Sequence, residues 1–221
     1  TFGPVPLLVE ENTDVIQQAE RTSEQAIYTF IITELNAIKD QLDMTTNSAG
    51  KVTNAAVIHF LGKMYLTRAY KSFAEANDFS EAATTFDLLI ENPSSGYALQ
   101  ENFAALFDEN NQANSEVIWA IQYGLDKNYR GGGNPQQAQF GFNIVALEPD
   151  MFTKSQSDYS NASRKYWVNP KAHELYTNPE IDTRYDVTFA REYYINNPDN
   201  ADYGKLGIYF PRWNDKSGMS N

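Results

Sequence analysis

Residues 54–93 read NAAVIHFLGKMYLTRAYKSFAEANDFSEAATTFDLLIENP. Two helical stripes are legible in this stretch. Val57, Leu61, Met64, Tyr65, Ala69 and Phe73 lie on the first; Ala82, Phe86, Leu89 and Ile90 lie on the second. Asn54 can cap the first helix, Asp78-x-x-Glu81 starts the second, and Asn92-Pro93 stops it. Leu61-Gly62-x-x-Tyr65 and Ala82-x-x-x-Phe86 dictate how the two helices meet. Gly62 removes a side chain where the backbones must approach closely, and Tyr65 and Phe86 fill the groove on either side. The expectation is an antiparallel helical hairpin closed by Pro93.

These spacings match the L-G-x-x-Y, A-x-x-x-F and terminal proline of a tetratricopeptide-type repeat. Gly62 and Ala82 stand about eight residues further apart than in the 34-residue repeat. Two extra turns on the first helix, or a longer turn between helices, would absorb the difference. A single lengthened repeat points to a recognition scaffold more than a catalytic one. The other reading is an ordinary helical hairpin with a chance match.

Upstream, Thr22-x-x-Gln25 has the form of a capping box, opening a helix to Leu42 with Ile27, Ile31, Leu35, Ile38 and Leu42 on one face. Residues 22–92 are therefore expected to form three antiparallel-packed helices. Before them, residues 1–12 carry Pro4 and Pro6 and read as extended. Downstream, a short helix is expected from Asn102 to Phe107. The run Glu116 to Tyr123, with Val117-Ile118-Trp119-Ala120-Ile121 at its centre, reads as a buried strand with Trp119 in the core.

After Tyr123 the character changes. Gly131-Gly132-Gly133-Asn134-Pro135 cannot hold regular structure, and the rest is loop-rich, with short helical pieces expected near 149–153 and 169–176. Residues 123–221 contain 10 of the 14 tyrosines, whereas 8 of the 13 phenylalanines precede them. Phe is chiefly a core residue, while Tyr offers a flat apolar body with a polar handle. The division is thus a helical scaffold over 1–122 and a loop-rich ligand face over 123–221, packed as one domain.

The whole chain has 221 residues, enough for a sizeable core, and a formal net charge of −12. Such a charge disfavours nucleic acid, whose phosphates it would repel, and equally disfavours anionic lipid. No apolar run approaches the roughly 18–20 residues needed to span a bilayer. With no cysteine, disulfides, thiolate metal sites and cysteine nucleophiles are excluded. The opening Thr1-Phe2-Gly3-Pro4 reads like the middle of a longer protein, whether through processing or trimming.

Catalytic constellations are missing from the sequence. It has no G-x-S-x-G, H-E-x-x-H, Walker loop or post-strand G-x-G-x-x-G. His59 reads as a helix-face residue and His173 as a surface one. Glu10-Glu11 and Glu148 with Asp150 could in principle flank a sugar, as glycoside hydrolysis requires, but 29 acidic residues make chance pairs inevitable. Asn196 to Asp202 offers oxygen ligands without the spacing of a calcium loop, and reads as a surface turn. Neither cofactor nor metal is expected.

Sugar recognition needs a flat ring against a pyranose C–H face, with planar donors and acceptors reaching the hydroxyls. Tyr129, Arg130 and Asn134 at the glycine turn, and Tyr159, Asn161, Tyr166 and Trp167 in the polar loop beyond it, meet that description. Trp167 taken alone reads as packing, the loop as a whole as binding. Trp213 beside Arg212 is ambiguous.

Five stretches together resemble the SusD/RagB family of outer-membrane nutrient-binding lipoproteins from Bacteroidetes. They are Phe2-Gly3-Pro4-Val5-Pro6-Leu7, the helix from Thr22 to Leu42, Leu66-Thr67-Arg68-Ala69-Tyr70, Ser115-Glu116-Val117-Ile118-Trp119, and Asn169-Pro170 with Glu174-Leu175-Tyr176 and Asp182-Thr183-Arg184-Tyr185. None is specific alone; their order and spacing together carry the likeness. The resemblance implies a mainly α fold, with tetratricopeptide-like helix pairs in an α-superhelix supporting an irregular ligand-binding region. It implies a non-enzymatic protein at the outer membrane, exposed on the cell surface. Such a protein captures oligosaccharides (in some members peptides) for a SusC-like TonB-dependent transporter. Contact with the membrane would be only through a lipid anchor absent from this chain. From another class, a tetratricopeptide-like adaptor for a peptide or protein partner also fits the helical half.

Overall fold

A computed structural model describes residues 3–13, 18–46, 50–122, 144–153, 168–178 and 181–212. Its contacts divide the chain into two units, Thr1–Gln100 with Glu109–Gln122, and Glu101–Asp108 with Tyr123–Asn221.

The first unit is built on α1 (Glu24–Ile38), α2 (Asn54–Arg68) and α3 (Asp78–Ile90), with α2 packed on both α1 and α3. The three helices expected over 22–92 are present, with caps displaced by a residue. Ser23, not Thr22, accepts the Ala26 amide of α1 at 3.2 Å. Thr22 is engaged elsewhere, its N–H donating to the Val5 carbonyl at 2.9 Å. Thr53 caps α2 through the Ala56 amide, and Asn54 is instead the first helical residue, its side-chain amide donating to the Lys39 carbonyl. The inward faces differ in detail too. Ile32 is the buried residue of α1, while Ile38 is exposed, as is Ile90 of α3. On α2 the buried hydrophobic residues are Ala55, Val57, Ile58 and Leu61.

Gly62 marks a close approach in the α2–α3 hairpin. A Cβ built on it would lie 2.7 Å from Cε1 of Phe86, a distance real Cβ atoms do not tolerate. Gly62→Leu is therefore expected to cost roughly 1–3 kcal/mol by overpacking. Chemical denaturation checks it, and adding Phe86→Ala should recover part of the loss. A wild-type midpoint for Gly62→Leu would refute the close approach.

A buried ion pair, not visible in the apolar pattern, fastens the same hairpin. Arg68 ends α2 and Asp78 begins α3, at 6% and 0% exposure. The guanidinium donates through Nε at 3.0 Å and Nη2 at 2.6 Å to Oδ1, and Oδ2 accepts the Glu75 amide at 2.8 Å. Burial pushes the Asp78 carboxyl upward. The Arg68 and Glu75 hydrogen bonds and the Arg68 charge outweigh it, so the group is held below its ordinary range.

The buried strand expected from Glu116 onward is not there. Residues 116–122 form no ladder: Val117 N–H turns back to the Asn114 carbonyl at 3.0 Å, and Ala98 N–H bonds the Ser115 carbonyl at 3.2 Å. A buried strand must pair its backbone groups along its length, and among the described residues this run has no neighbouring strand. Ile118 packs on the Ala55–Ile58–Leu89 core, while Trp119 is 50% and Ile121 67% exposed. The placement of Trp119 in the core is thereby corrected.

The second unit contains a 3-10 turn at Phe103–Phe107, where the short helix was expected, capped by Asn102 accepting the Ala104 amide. It packs on α6 (Arg184–Thr188). The other elements are α4 (Ile144–Leu147), α5 (Pro170–Glu174, capped by Asn169) and an antiparallel pair, β1 (Glu192–Tyr194) with β2 (Leu206–Tyr209). The piece expected at 149–153 is a turn following α4, not a helix, and α6 and the hairpin were not anticipated. Phe152, Ile195 and Ile144 are its buried apolar residues, with Tyr185.

Candidate functional site

Tyr129, Arg130, Asn134, Tyr159, Asn161, Tyr166, Trp167 and Trp213 lie outside the described residues, as do Gly131 to Gly133. The features that can be built atom by atom are a cleft in the first unit and an aromatic nest in the second.

The cleft measures about 310 Å³ and gathers residues from three parts of the chain: Thr45, Thr46, Gly50, Lys51 and Thr53; Ser95 to Tyr97; and Gln112 to Ser115 with Val117 to Ala120 and Gln122. Trp119 stands at its edge, fixed by its indole N–H donating to the Gly50 carbonyl at 2.9 Å. Gly50 has φ +80°, in the left-handed region that favours glycine, and a Cβ there would lie 3.1 Å from Cγ of Gln122. Among the described residues the Thr45 hydroxyl, the Lys51 ammonium and the Tyr97 hydroxyl have no hydrogen-bond partner. Val117, Ile118 and Trp119 also border a second groove, about 700 Å³, whose wall includes Leu35, Ile38, Val52 and Phe60. Trp119 thus borders both a cleft with polar side chains in its wall and a more apolar groove. Nothing in the sequence links positions 50 and 119, and an apolar run around the tryptophan argues for burial; only the tertiary bond exposes this feature.

In the second unit His173, Tyr176, Tyr185 and Phe189 pack ring on ring, with His173 and Phe189 centroids 4.2 Å apart. His173 Nδ1 lies 3.1 Å from the Tyr185 hydroxyl. The reading of His173 as a surface residue is corrected to a half-buried member of this nest. Beside it Asp186 accepts Nη2 of Arg212 at 2.6 Å and Nε of Arg191 at 2.9 Å, and Arg191 Nη1 donates to the Tyr209 hydroxyl at 2.9 Å. The Arg212 hydrogen bond, reinforced by that of Arg191, outweighs desolvation and holds the Asp186 carboxyl below its usual range. Both cations share the single Asp186 carboxylate, so the cluster ties positions 186, 191 and 212 together.

Residues 196–202 form a turn anchored on the 148–153 segment: Asn197 and Asn200 side-chain amides donate to the Asp150 carbonyl at 3.0 and 2.9 Å. Asn196 Oδ1 accepts the Thr153 amide at 2.9 Å. Amides occupied in this way support the reading as a turn. Among the described residues no group of three or more His, Asp or Glu is arranged to hold a metal. Glu10, Glu11, Glu148 and Asp150 are exposed, and His59 lies exposed on α2 with its ring 6.0 Å from that of Phe86. No helix among the described residues is long and apolar enough to cross a membrane.

Among the described residues the architecture is mainly helical, with three packed helices in the first unit and short helices beside a two-stranded hairpin in the second. Comparison with known proteins gives the class. No family model matches the chain. A SusD-like protein of Bacteroides ovatus is 30% identical over 127 residues, 55% of this chain and 22% of the relative. SusD-like protein P2 of Formosa agariphila is 29% identical over 126 residues, 55% of this chain and 23% of the relative. Two solved structures, each 20% identical, share the fold over almost the whole chain. Surface glycan-binding protein A from Bacteroides uniformis aligns over 95% of this chain and 40% of its own, with a TM-score of 0.60. A SusD superfamily protein from Bacteroides fragilis aligns over 94% and 43%, with a TM-score of 0.63. Over about half of its length the chain is similar to these SusD-like proteins, and it spans less than a quarter of the curated relatives it matches.

Proposed function

We propose that this chain takes part in the capture of oligosaccharides at the cell surface, for delivery to a SusC-like TonB-dependent transporter in the outer membrane. Binding would be through a shallow, shape-matched site, with no bond broken. The observation that carries the reading is the fold shared over 95% of the chain with a protein named for surface glycan binding. The sequence supports it independently, since its tyrosines concentrate in residues 123–221 and it contains no nucleophile–base motif. In this reading the first unit is the scaffold. Tyr129, Arg130, Asn134, Tyr159, Asn161, Tyr166 and Trp167 contact the ligand. Affinity would be modest, because each hydroxyl must shed water for every hydrogen bond gained.

A peptide-binding adaptor is the second reading, and the apolar groove along α1 and α2 is what favours it. One set of measurements separates the two. Cello-, xylo-, manno- and maltohexaose and a tryptic peptide pool are titrated into the 221-residue chain by calorimetry, and the sugar mixtures are assayed for new reducing ends. Saturable sugar binding with no product is expected, with or without added divalent metals. Turnover abolished by His59→Ala or His173→Ala would make the protein an enzyme. Binding confined to peptides would establish the adaptor. Unchanged sugar affinity after Tyr129, Tyr159 and Trp167 are all replaced by alanine would remove the loop assignment.

A further inference from the structure

The geometry points to Trp119 as the aromatic platform of a carbohydrate subsite in the cleft of the first unit, built from residues other than the loop positions proposed above. It rests on the glycan-binding reading and adds to it a specific place on the scaffold. A tryptophan flanked by Val117, Ile118 and Ile121 has every apolar reason to be buried, yet half of its surface is exposed. The ring is not loose: its N–H is held by the Gly50 carbonyl, and Gly50 has the backbone conformation and space that this approach requires. A ring fixed before binding loses little conformational freedom on contact, which is what makes tryptophan an efficient anchor.

The surroundings match a sugar rather than a wholly apolar ligand. A pyranose is two-sided, with axial C–H groups on one face and hydroxyls around its rim. Trp119 provides a flat apolar surface, while the partnerless Lys51 ammonium and Thr45 and Tyr97 hydroxyls stand in the wall of the same cleft to meet the rim. The volume, about 310 Å³, lies at the lower end of the range for small-molecule sites. That suits one end of a chain whose remainder continues into solvent. The second groove is the more apolar of the two, with His59 and Glu116 as its polar side chains, so the ligand is placed in the cleft that holds Thr45, Lys51 and Tyr97.

The test uses the full 221-residue chain labelled with ¹⁵N. Its three tryptophans yield three indole N–H signals, and Trp119→Phe identifies the one from Trp119. Titration with the four hexasaccharides should shift that signal saturably. Trp119→Ala should weaken binding of the responding sugar about tenfold or more, and Lys51→Met about threefold. If Trp119→Ala fails to fold, the wild-type indole signal and Lys51→Met decide the matter. A hexasaccharide that binds by calorimetry while the Trp119 signal and both variants' affinities stay unchanged overturns the subsite and leaves the glycan reading standing. Absence of any sugar binding overturns both. A Trp119 signal moved only by the peptide pool overturns the assigned ligand class.

Discussion

Replacing Asp78 with asparagine is expected to destabilise the helical unit by about 3–5 kcal/mol, the usual consequence of removing one partner of a buried ion pair. The shape is conserved, so the loss is electrostatic. Arg68 would remain 6% exposed with only the solvent-facing Glu75 carboxylate, at 2.7 Å, to balance it. The Glu75 amide would also lose its charged acceptor. Replacing both partners by apolar residues, as in Arg68→Met with Asp78→Leu, should cost much less than Asp78→Asn alone, because no charge is then left buried. Urea midpoints for the three proteins check the ordering. A single-variant loss below about 1 kcal/mol would show that the pair is not buried as described.

The same pair sets a pH dependence. Asp78 is held below the unfolded value of about 3.9, so its contribution is fully present above about pH 4 and is lost as pH falls through the lower folded value. Arg68 stays charged throughout this range. Asp78→Asn should therefore be less stable than wild type near neutrality, with the gap narrowing as the solution is made more acidic than pH 4. Parallel stability curves down to pH 2 would contradict the assignment.

Phe152→Ala is expected to destabilise the second unit by roughly 3–5 kcal/mol, the range for deleting a buried aromatic. Phe152 is 1% exposed and packs where three pieces of chain meet. Its own amide donates to the Glu148 carbonyl, and its neighbour Met151 accepts the amides of Asn196 and Asn197. A Cβ on Gly207 would lie 3.4 Å from the Phe152 ring and 2.9 Å from Ile195. With backbone fixed on all sides, the cavity cannot easily collapse, which places the effect toward the upper end. Amide hydrogen exchange should show protection lost at Ile195 and Gly204, whose N–H groups bond Lys205 and Ile195 carbonyls. Retained protection there would exclude Phe152 as the organising residue.

Much of the first unit was legible because helices depend on local spacing. The period of α2 and α3 and the stop at Asn92-Pro93 follow from residues a few positions apart, the glycine facing Phe86 follows from the two helical spacings read together, and the structure has each of them. Caps slipped by one residue because neighbouring Thr22 and Ser23, or Thr53 and Asn54, have nearly equal capping chemistry. A long-range bond, Thr22 to Val5 or Asn54 to Lys39, decided between them. The β1–β2 hairpin and α6 escaped notice because their strands and helix are three to five residues long, too short for a period to emerge.

By itself, then, the sequence determined a mainly helical scaffold, a hairpin closed on Gly62, an acidic cysteine-free chain without nucleophile–base motifs, and a resemblance to SusD-like proteins. Only the tertiary structure decided that Arg68 and Asp78 share a buried bond, that His173 sits in an aromatic nest, and that Trp119 faces a cleft. The physical reason is the same in each case. Apolar periodicity says which face of a segment prefers to leave water. Which polar group meets which, and whether an apolar run finds a neighbour to cover it, depends on contacts between distant positions, such as the 2.9 Å bond from Trp119 to Gly50.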